Sequence, residues 1–162
     1  MNILMEYFQA EKTESLFFIS IGIVGIAVGI TLWFSSSIYK NMLYPLIIIG
    51  CIQLIVGSSV YFRTDRQVES LIKLKEVNPT EFKNSESDRM KIVSKNFQYY
   101  KALEIFLILL GIILSYYYSK KIGIYSIAIG LILESSLMLV LDLFAEKRAS
   151  DYLEFLLNFN SL

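Results

Sequence analysis

The chain has 162 residues, of which 55% are hydrophobic, and it carries fifteen acidic and fifteen basic side chains. Charged residues make up 19% and the mean hydropathy is +0.54, whereas soluble domains usually contain about 25% charged residues. The sequence has no His and only Cys51, which excludes an internal disulfide and a Cys–His metal site. We therefore expect neither a metal nor a cofactor.

Four apolar segments follow one another along the chain, and together they predict one membrane domain over residues 1–162. A membrane-spanning helix needs roughly 18 or more apolar residues. The first two runs meet that length, the third does so with interfacial residues before it, and the fourth is long but carries two carboxylates. The predicted spans are 16–34, 43–62, 101–118 and 122–144.

The fold class predicted is therefore an all-α integral membrane protein with four transmembrane helices. A soluble all-α domain would need polar faces on its helices, and the first two runs have none. The first run is not expected to be a cleaved signal peptide, because Glu6, Glu11 and Glu14 precede it where a basic region would be required.

The distribution of Lys and Arg predicts the orientation. The two ends and the middle segment hold twelve of these residues, and the two opposite loops hold three. Because basic flanks stay in the cytoplasm, we expect both termini and the middle segment there, in a bacterial inner membrane.

The two halves of the chain resemble each other. With a shift of 89 residues, 8–23 lies on 97–112 with seven of sixteen positions identical. A shift of 81 then places Gln53 on Glu134. An even number of spans in each unit makes the repeats parallel, so the prediction is two tandem helical hairpins, about 8–75 and 97–157.

The connector 63–98 is rich in charge and is interrupted at Asn78, Pro79 and Thr80. Thr80 is a candidate cap for a helix beginning at Glu81, and apolar residues then recur at helical spacing. We expect a cytoplasmic helical extension: the second span continues as a helix to Lys75, and a second, antiparallel helix returns to the membrane. A disordered loop is the alternative, because 84–88 is polar throughout.

Glycines mark the faces on which the first two spans pack. Small residues allow close approach of helix backbones in lipid, where no hydrophobic force drives association. With four helices in the chain, packing within one molecule is favoured over packing between copies, although a homodimer stays open. The glycines are Gly22, Gly25, Gly29, Gly50 and Gly57.

Glu134 is the principal candidate functional residue. It lies near the middle of the fourth span, and no Lys, Arg or His occurs at that depth, so an ionised carboxylate would be costly there. Three interpretations stay open: a protonated carboxyl that donates to Gln53, a hydrated cation or proton site, or a group that awaits a polar partner on another protein.

Asp142 lies near the inner end of the same span. We expect it to pair with Arg63 or Arg66 at the end of the second span, which would tie the two hairpins together.

No catalytic constellation is recognisable, so the protein is not expected to be an enzyme. The chain has no phosphate-binding glycine loop, no nucleophile elbow and no Cys pair. Acidic residues balance the basic connector, which argues against a nucleic-acid partner.

The stretches "VYFRTDRQ" (60–67) and "LDLFAEKRASDYLEFL" (141–156) resemble the helix ends of small, largely uncharacterised four-helix bacterial inner-membrane proteins. The resemblance in size and topology extends to immunity proteins, which protect a membrane from a pore-forming or membrane-active toxin.

The function expected first is therefore a non-catalytic protein of the lipid bilayer that binds a transmembrane partner, such as a toxin. The alternatives are a small proton- or cation-conducting transporter that uses Glu134, as a dimer, and a scaffold subunit of a membrane complex.

Overall fold

A computed structural model describes residues 2–158 of the chain. Within this range four long helices follow one another, and a short 3-10 turn at Lys40–Met42 precedes the second. The helices are α1 (Asn2–Phe34), α2 (Leu43–Val77), α3 (Pro79–Tyr117) and α4 (Ile122–Asn158). Each contains a stretch that is long and apolar enough to cross a membrane, which confirms the prediction of an all-helical chain with four candidate spans.

The helices are arranged as two antiparallel hairpins. α1 packs along α2 and α3 packs along α4 over most of their lengths, whereas contacts between the hairpins are fewer. α4 touches both helices of the first hairpin and the turn before α2. α3 lies at the edge of the bundle, because it packs on α4 and meets only α2 in the other hairpin.

Burial within the spans is the reverse of that in a soluble protein. Large apolar side chains such as Val24, Ile55 and Phe106 are more than half exposed, while Gln53 and Glu134 are almost completely buried. Lipid solvates apolar side chains as well as a protein interior does, so polar groups are the ones that gain from burial. This pattern is typical of helices that lie in lipid.

A compact hydrophobic core occurs instead at the end of the bundle where α1 begins and α4 ends. We call this part the proximal bundle; it comprises 2–15, 63–77, 79–100 and 145–158. Its centre contains Phe8, Phe82, Met90 and Tyr152, all almost completely buried. Close packing of large apolar side chains away from solvent is typical of a region that the hydrophobic effect stabilises.

The junction between α2 and α3 differs from the expected one. Asn78, and not Thr80, caps α3: its Oδ1 accepts from the backbone N–H of Glu81 at 3.1 Å, and its Nδ2 donates to the Glu81 carboxylate at 3.0 Å. Pro79 occupies the first helical turn, a position that suits proline because its missing N–H has no helical partner there. Residues 84–88 are helical, so the alternative of a disordered loop is wrong.

The expected glycine contacts form within the chain. A Cβ atom added to Gly22 would lie 2.7 Å from the carbonyl oxygen of Gly50, and one added to Gly57 would lie 2.8 Å from that of Ser15. Gly29 instead faces the side chain of Ile47, whose Cγ1 would lie 2.5 Å from an added Cβ atom. These close approaches between α1 and α2 leave no room for a side chain.

Ion pairs of the two hairpins occupy corresponding positions. Lys12 of α1 pairs with Asp65 of α2 at 2.7 Å, and Lys101 of α3 pairs with Glu146 of α4 at 2.5 Å. The shifts of 89 and 81 residues relate these two pairs. The duplication itself stays a prediction.

Candidate functional site

The first buried polar contact of the spans joins Gln53 on α2 to Glu134 on α4. Gln53 Nε2 donates to Glu134 Oε2 at 3.2 Å, and both side chains are buried. The two residues that the 81-residue shift superimposes are therefore in contact. The amide is the donor here, the opposite of the expected direction, in which a protonated Glu134 donates to Gln53.

Gly25 closes the site on the side of α1. A Cβ atom at this position would lie 2.8 Å from Glu134 Oε1 and 3.3 Å from the carbonyl oxygen of Leu46. Gly25 is thus a component of the polar site as well as a packing residue. Gln53 Oε1 and the neighbouring Ser135 Oγ have no hydrogen-bond partner among residues 2–158, so the site keeps acceptor capacity.

A second polar site, not predicted from the sequence, joins α3 to α4. The carboxyl groups of Glu104 and Asp142 lie within hydrogen-bonding reach of each other, and both side chains are buried. No donor from the described part of the chain reaches either oxygen of Glu104. Two facing carboxylates repel each other, so a contact of this kind is favourable only where at least one of the two groups is protonated.

Glu104 shows the same sequence signal as Glu134, namely an acidic residue within an apolar predicted span. It is the only acidic residue between 102 and 118, within the third predicted span. An ionisable residue in a span is a candidate functional group by default, so the sequence did contain the signal.

The expected pairing of Asp142 with Arg63 or Arg66 is wrong. Arg63 lies 3.6 Å from Glu11 on α1, and Arg66 is exposed on the wall of a groove between α2 and α3. The reason is the rotation of α4 about its axis, which turns Asp142 towards α3 and away from the end of α2. The tie between α3 and α4 is therefore made of two carboxyl groups.

Ion pairs continue from this second site towards the proximal bundle. Glu146, one turn beyond Asp142 on α4, accepts from Lys101 at 2.5 Å. Further along, Arg148 pairs with Glu14 of α1. Burial raises the pKa of Glu11, which the nearby guanidinium group of Arg63 opposes.

One ion pair of the proximal bundle, between Glu86 and Arg89, is partly buried. Glu86 is buried and accepts from Nε and Nη2 of Arg89, at 2.7 Å each, and this guanidinium group lies over the ring of Phe8. A two-point contact of this kind fixes the orientation of the Arg89 side chain.

The arrangement as a whole places three buried carboxyl groups along α4 and its neighbours. Glu134 accepts one hydrogen bond from an amide, Glu104 and Asp142 face each other, and no basic side chain is bonded to any of the three among the described residues. Such groups hold protons and tie helices together. No cluster of three or more His, Cys, Asp or Glu that could hold a metal occurs in residues 2–158.

Comparisons with protein-family models, with curated proteins and with solved structures find no match. Function is therefore argued from the geometry of the chain itself.

Proposed function

We propose that this chain is a non-catalytic protein of a bacterial inner membrane that binds a transmembrane partner, with both termini in the cytoplasm. An immunity protein that neutralises a pore-forming or membrane-active toxin is the specific form that we favour. The bias of Lys and Arg towards the ends and the middle segment supports the orientation.

The observation that carries the proposal is the position of α3 at the edge of the bundle. Its candidate span is the least buried of the four, because within the membrane it packs on α4 alone. Its outer face bears apolar side chains at spacings of three and four residues, all more than half exposed. They are Phe106, Leu109, Ile113 and Tyr117.

We assign partner contact to this face and not to Glu134. Glu134 is 1% exposed and is covered by Gly25, so another helix cannot reach it unless α1 moves away. A helix that lies on the outside of α3, in contrast, meets a regular apolar ridge without any rearrangement.

Site-specific photo-crosslinking in cells tests this assignment. A crosslinking amino acid at position 106 or 113 is expected to give a discrete adduct with a transmembrane protein, identified by mass spectrometry. Position 24, equally exposed on α1, is the matched control and is expected to give none. Adducts with a second copy of the chain alone, or equal adducts from all three positions, contradict the proposal.

The immunity form has a separate test. Expression of the chain is expected to protect sensitive cells against a membrane-active protein encoded beside it, and the bulky replacement Ile113→Trp is expected to abolish protection while Val24→Trp keeps it. Protection that is insensitive to both replacements excludes the α3 face as the contact.

A second candidate function, proton or cation conduction, is favoured by the Glu104–Asp142 pair, which adds two carboxyl groups to Glu134. Flux through liposomes that contain purified protein tests it. Conduction requires a flux well above that of empty liposomes and its loss in Glu134→Gln; the absence of flux excludes this candidate.

A further inference from the structure

A groove of about 860 Å³ runs between α2 and α3, where the apolar span of α2 passes into its charged end. Ser58, Ser59 and Phe62 line its membrane side, and Gln67 and Ser70 line its far side. It is separate from the outer face of α3, so the inference below does not depend on the proposed function.

The groove is positively charged. Arg63, Arg66 and Arg89 all line it, and no carboxylate does. Two of the three are partly compensated from outside the groove: Glu86 holds Arg89, and Glu11 lies 3.6 Å from Arg63. Arg66 has no ion-pair partner among the described residues. At least one positive charge is therefore available to a ligand.

The arginine on the α3 wall is fixed before any ligand arrives. Glu86 binds its guanidinium fork through two hydrogen bonds. With the Gln67 amide turned so that its oxygen faces this group, that oxygen accepts from Nη1 at 3.0 Å and Nε at 3.1 Å. Arg89 therefore uses its donors within the chain and fixes the α3 wall, so Arg63 and Arg66 are the groups left to contact a ligand, and arginine matches the oxygens of phosphate in geometry.

Large apolar side chains line the groove, beside Ser58 and Ser59, where it approaches the apolar span of α2. Phe62 on α2 and Ile92 on α3 are both more than 60% exposed, and the lipid-facing surface of α2 continues upward through Ile55. A ligand with a phosphate and hydrocarbon chains matches a groove that is basic at one end and continues into an apolar surface at the other. A soluble anion would leave the apolar side chains uncovered.

We propose that the α2–α3 groove binds one anionic phospholipid, with its phosphate at Arg63 and Arg66 and its acyl chains along Phe62 and the span of α2. The opposite charges of groove and headgroup, and the continuity of the groove with lipid, select this occupant.

Native mass spectrometry of the full chain in mild detergent tests the proposal. Phosphatidylglycerol is expected to be retained, and phosphatidylcholine, its zwitterionic counterpart, is expected to dissociate. Arg66→Gln and Arg63→Gln are expected to lower retention about fivefold each, which corresponds to the loss of one basic residue near a headgroup.

Lys73→Gln is the matched control, because it removes one positive charge from α2 outside the groove, where Lys73 pairs with Glu69. It is expected to leave retention unchanged. Inorganic phosphate and glycerol phosphate, added separately, are expected to compete weakly because they lack acyl chains.

Three outcomes overturn the proposal. These are equal retention of the two lipids, retention that no arginine replacement lowers more than Lys73→Gln does, and binding of glycerol phosphate as tight as that of the lipid. Circular dichroism of each variant checks that the helices are intact, and Arg63→Gln serves if Arg66→Gln fails to fold.

Discussion

At the scale of single residues, the buried carboxyl groups of the spans lie next to other polar groups of the same chain. Glu134 meets an amide rather than a cation, and Glu104 meets a second carboxyl group. A hydrogen bond within a membrane protein contributes only about 1 kcal/mol, because the unfolded chain in lipid also finds partners. The contact between Gln53 and Glu134 is therefore expected to contribute only modestly to stability.

Replacement of Glu134 separates the need for a hydrogen bond from the need for a charge. Glu134→Gln keeps an acceptor for Gln53 and is expected to change the free energy of unfolding by less than about 0.5 kcal/mol. Glu134→Ala leaves the Gln53 amide unpaired and is expected to cost about 1–2 kcal/mol.

Thermal unfolding in detergent, followed by circular dichroism, measures both variants, with Leu137→Ala on the partly exposed side of α4 as the control for side-chain loss. If Glu134→Ala is no less stable than Leu137→Ala, the Gln53 contact does not stabilise the fold.

Replacement of Glu104 tests the shared proton. Glu104→Gln supplies an N–H donor to Asp142 without requiring a proton, so it is expected to leave the unfolding temperature unchanged or to raise it by a few degrees. Glu104→Leu leaves the buried Asp142 carboxyl without its partner and is expected to cost about 1–3 kcal/mol. Equal stability of the two variants would show that the carboxyl groups do not interact.

At the scale of elements, α1 and α2 are held by glycines that bring their backbones together. The carbonyl oxygen of Gly50 lies where a Cβ atom of Gly22 would be, and the reverse also holds. Van der Waals packing of this kind replaces the hydrophobic force within lipid. The first hairpin is thus fixed by backbone contact, whereas α3 contributes one small residue, Gly111, to its contact with α4.

Alanine scanning of the glycines checks this difference. Gly22→Ala brings Cβ to 2.7 Å from a backbone oxygen, which cannot swing aside, so we expect a loss of about 1–3 kcal/mol. Gly123→Ala meets only the end of the Asn41 side chain, which is free to rotate away. This variant is expected to be neutral or slightly stabilised because alanine favours helix. Equal unfolding temperatures of the two variants contradict backbone packing of α1 on α2.

At the scale of the whole molecule, the proximal bundle is the part that has a core of large buried apolar side chains. Tyr7 and Tyr152 stack at 4.4 Å between ring centroids within its core, and both are buried. Burial raises the pKa of each phenol well above its ordinary value. The hydrogen bond to Asp65 likewise raises the pKa of Lys12.

Alkaline pH is therefore expected to destabilise the protein. Above about pH 10, the tyrosines of the unfolded chain lose protons that the folded chain retains. The free energy of unfolding then falls by up to about 1.4 kcal/mol per pH unit for each buried phenol. The contribution of Lys12 is present below its unfolded pKa and is lost in the same alkaline range.

Thermal unfolding between about pH 9 and 11.5 measures this fall. Tyr152→Phe removes one of the two buried phenols and is expected to reduce the slope, and Tyr116→Phe, which alters an exposed phenol, is the control. A slope that is unaffected by Tyr152→Phe excludes this tyrosine as its source.

The sequence by itself determined that the chain forms four helices, each with a stretch long and apolar enough to cross a membrane. An apolar run of sufficient length has only one stable state in lipid, because a helix satisfies every backbone group internally. Gly25, Gly29 and Glu134 were recognisable for a similar reason, since each is an exception to a uniform apolar pattern. The shift of 81 residues even brought Gln53 and Glu134 together.

Only the tertiary structure decided which polar groups meet. Successive residues of a helix are turned by 100°, so the partner of Asp142 depends on the rotation of α4 about its axis. Spans that are apolar all round do not fix that rotation. Close packing of α3 on α4 fixes it here, and Asp142 consequently faces Glu104, while Arg63 and Arg66 are left on the groove between α2 and α3.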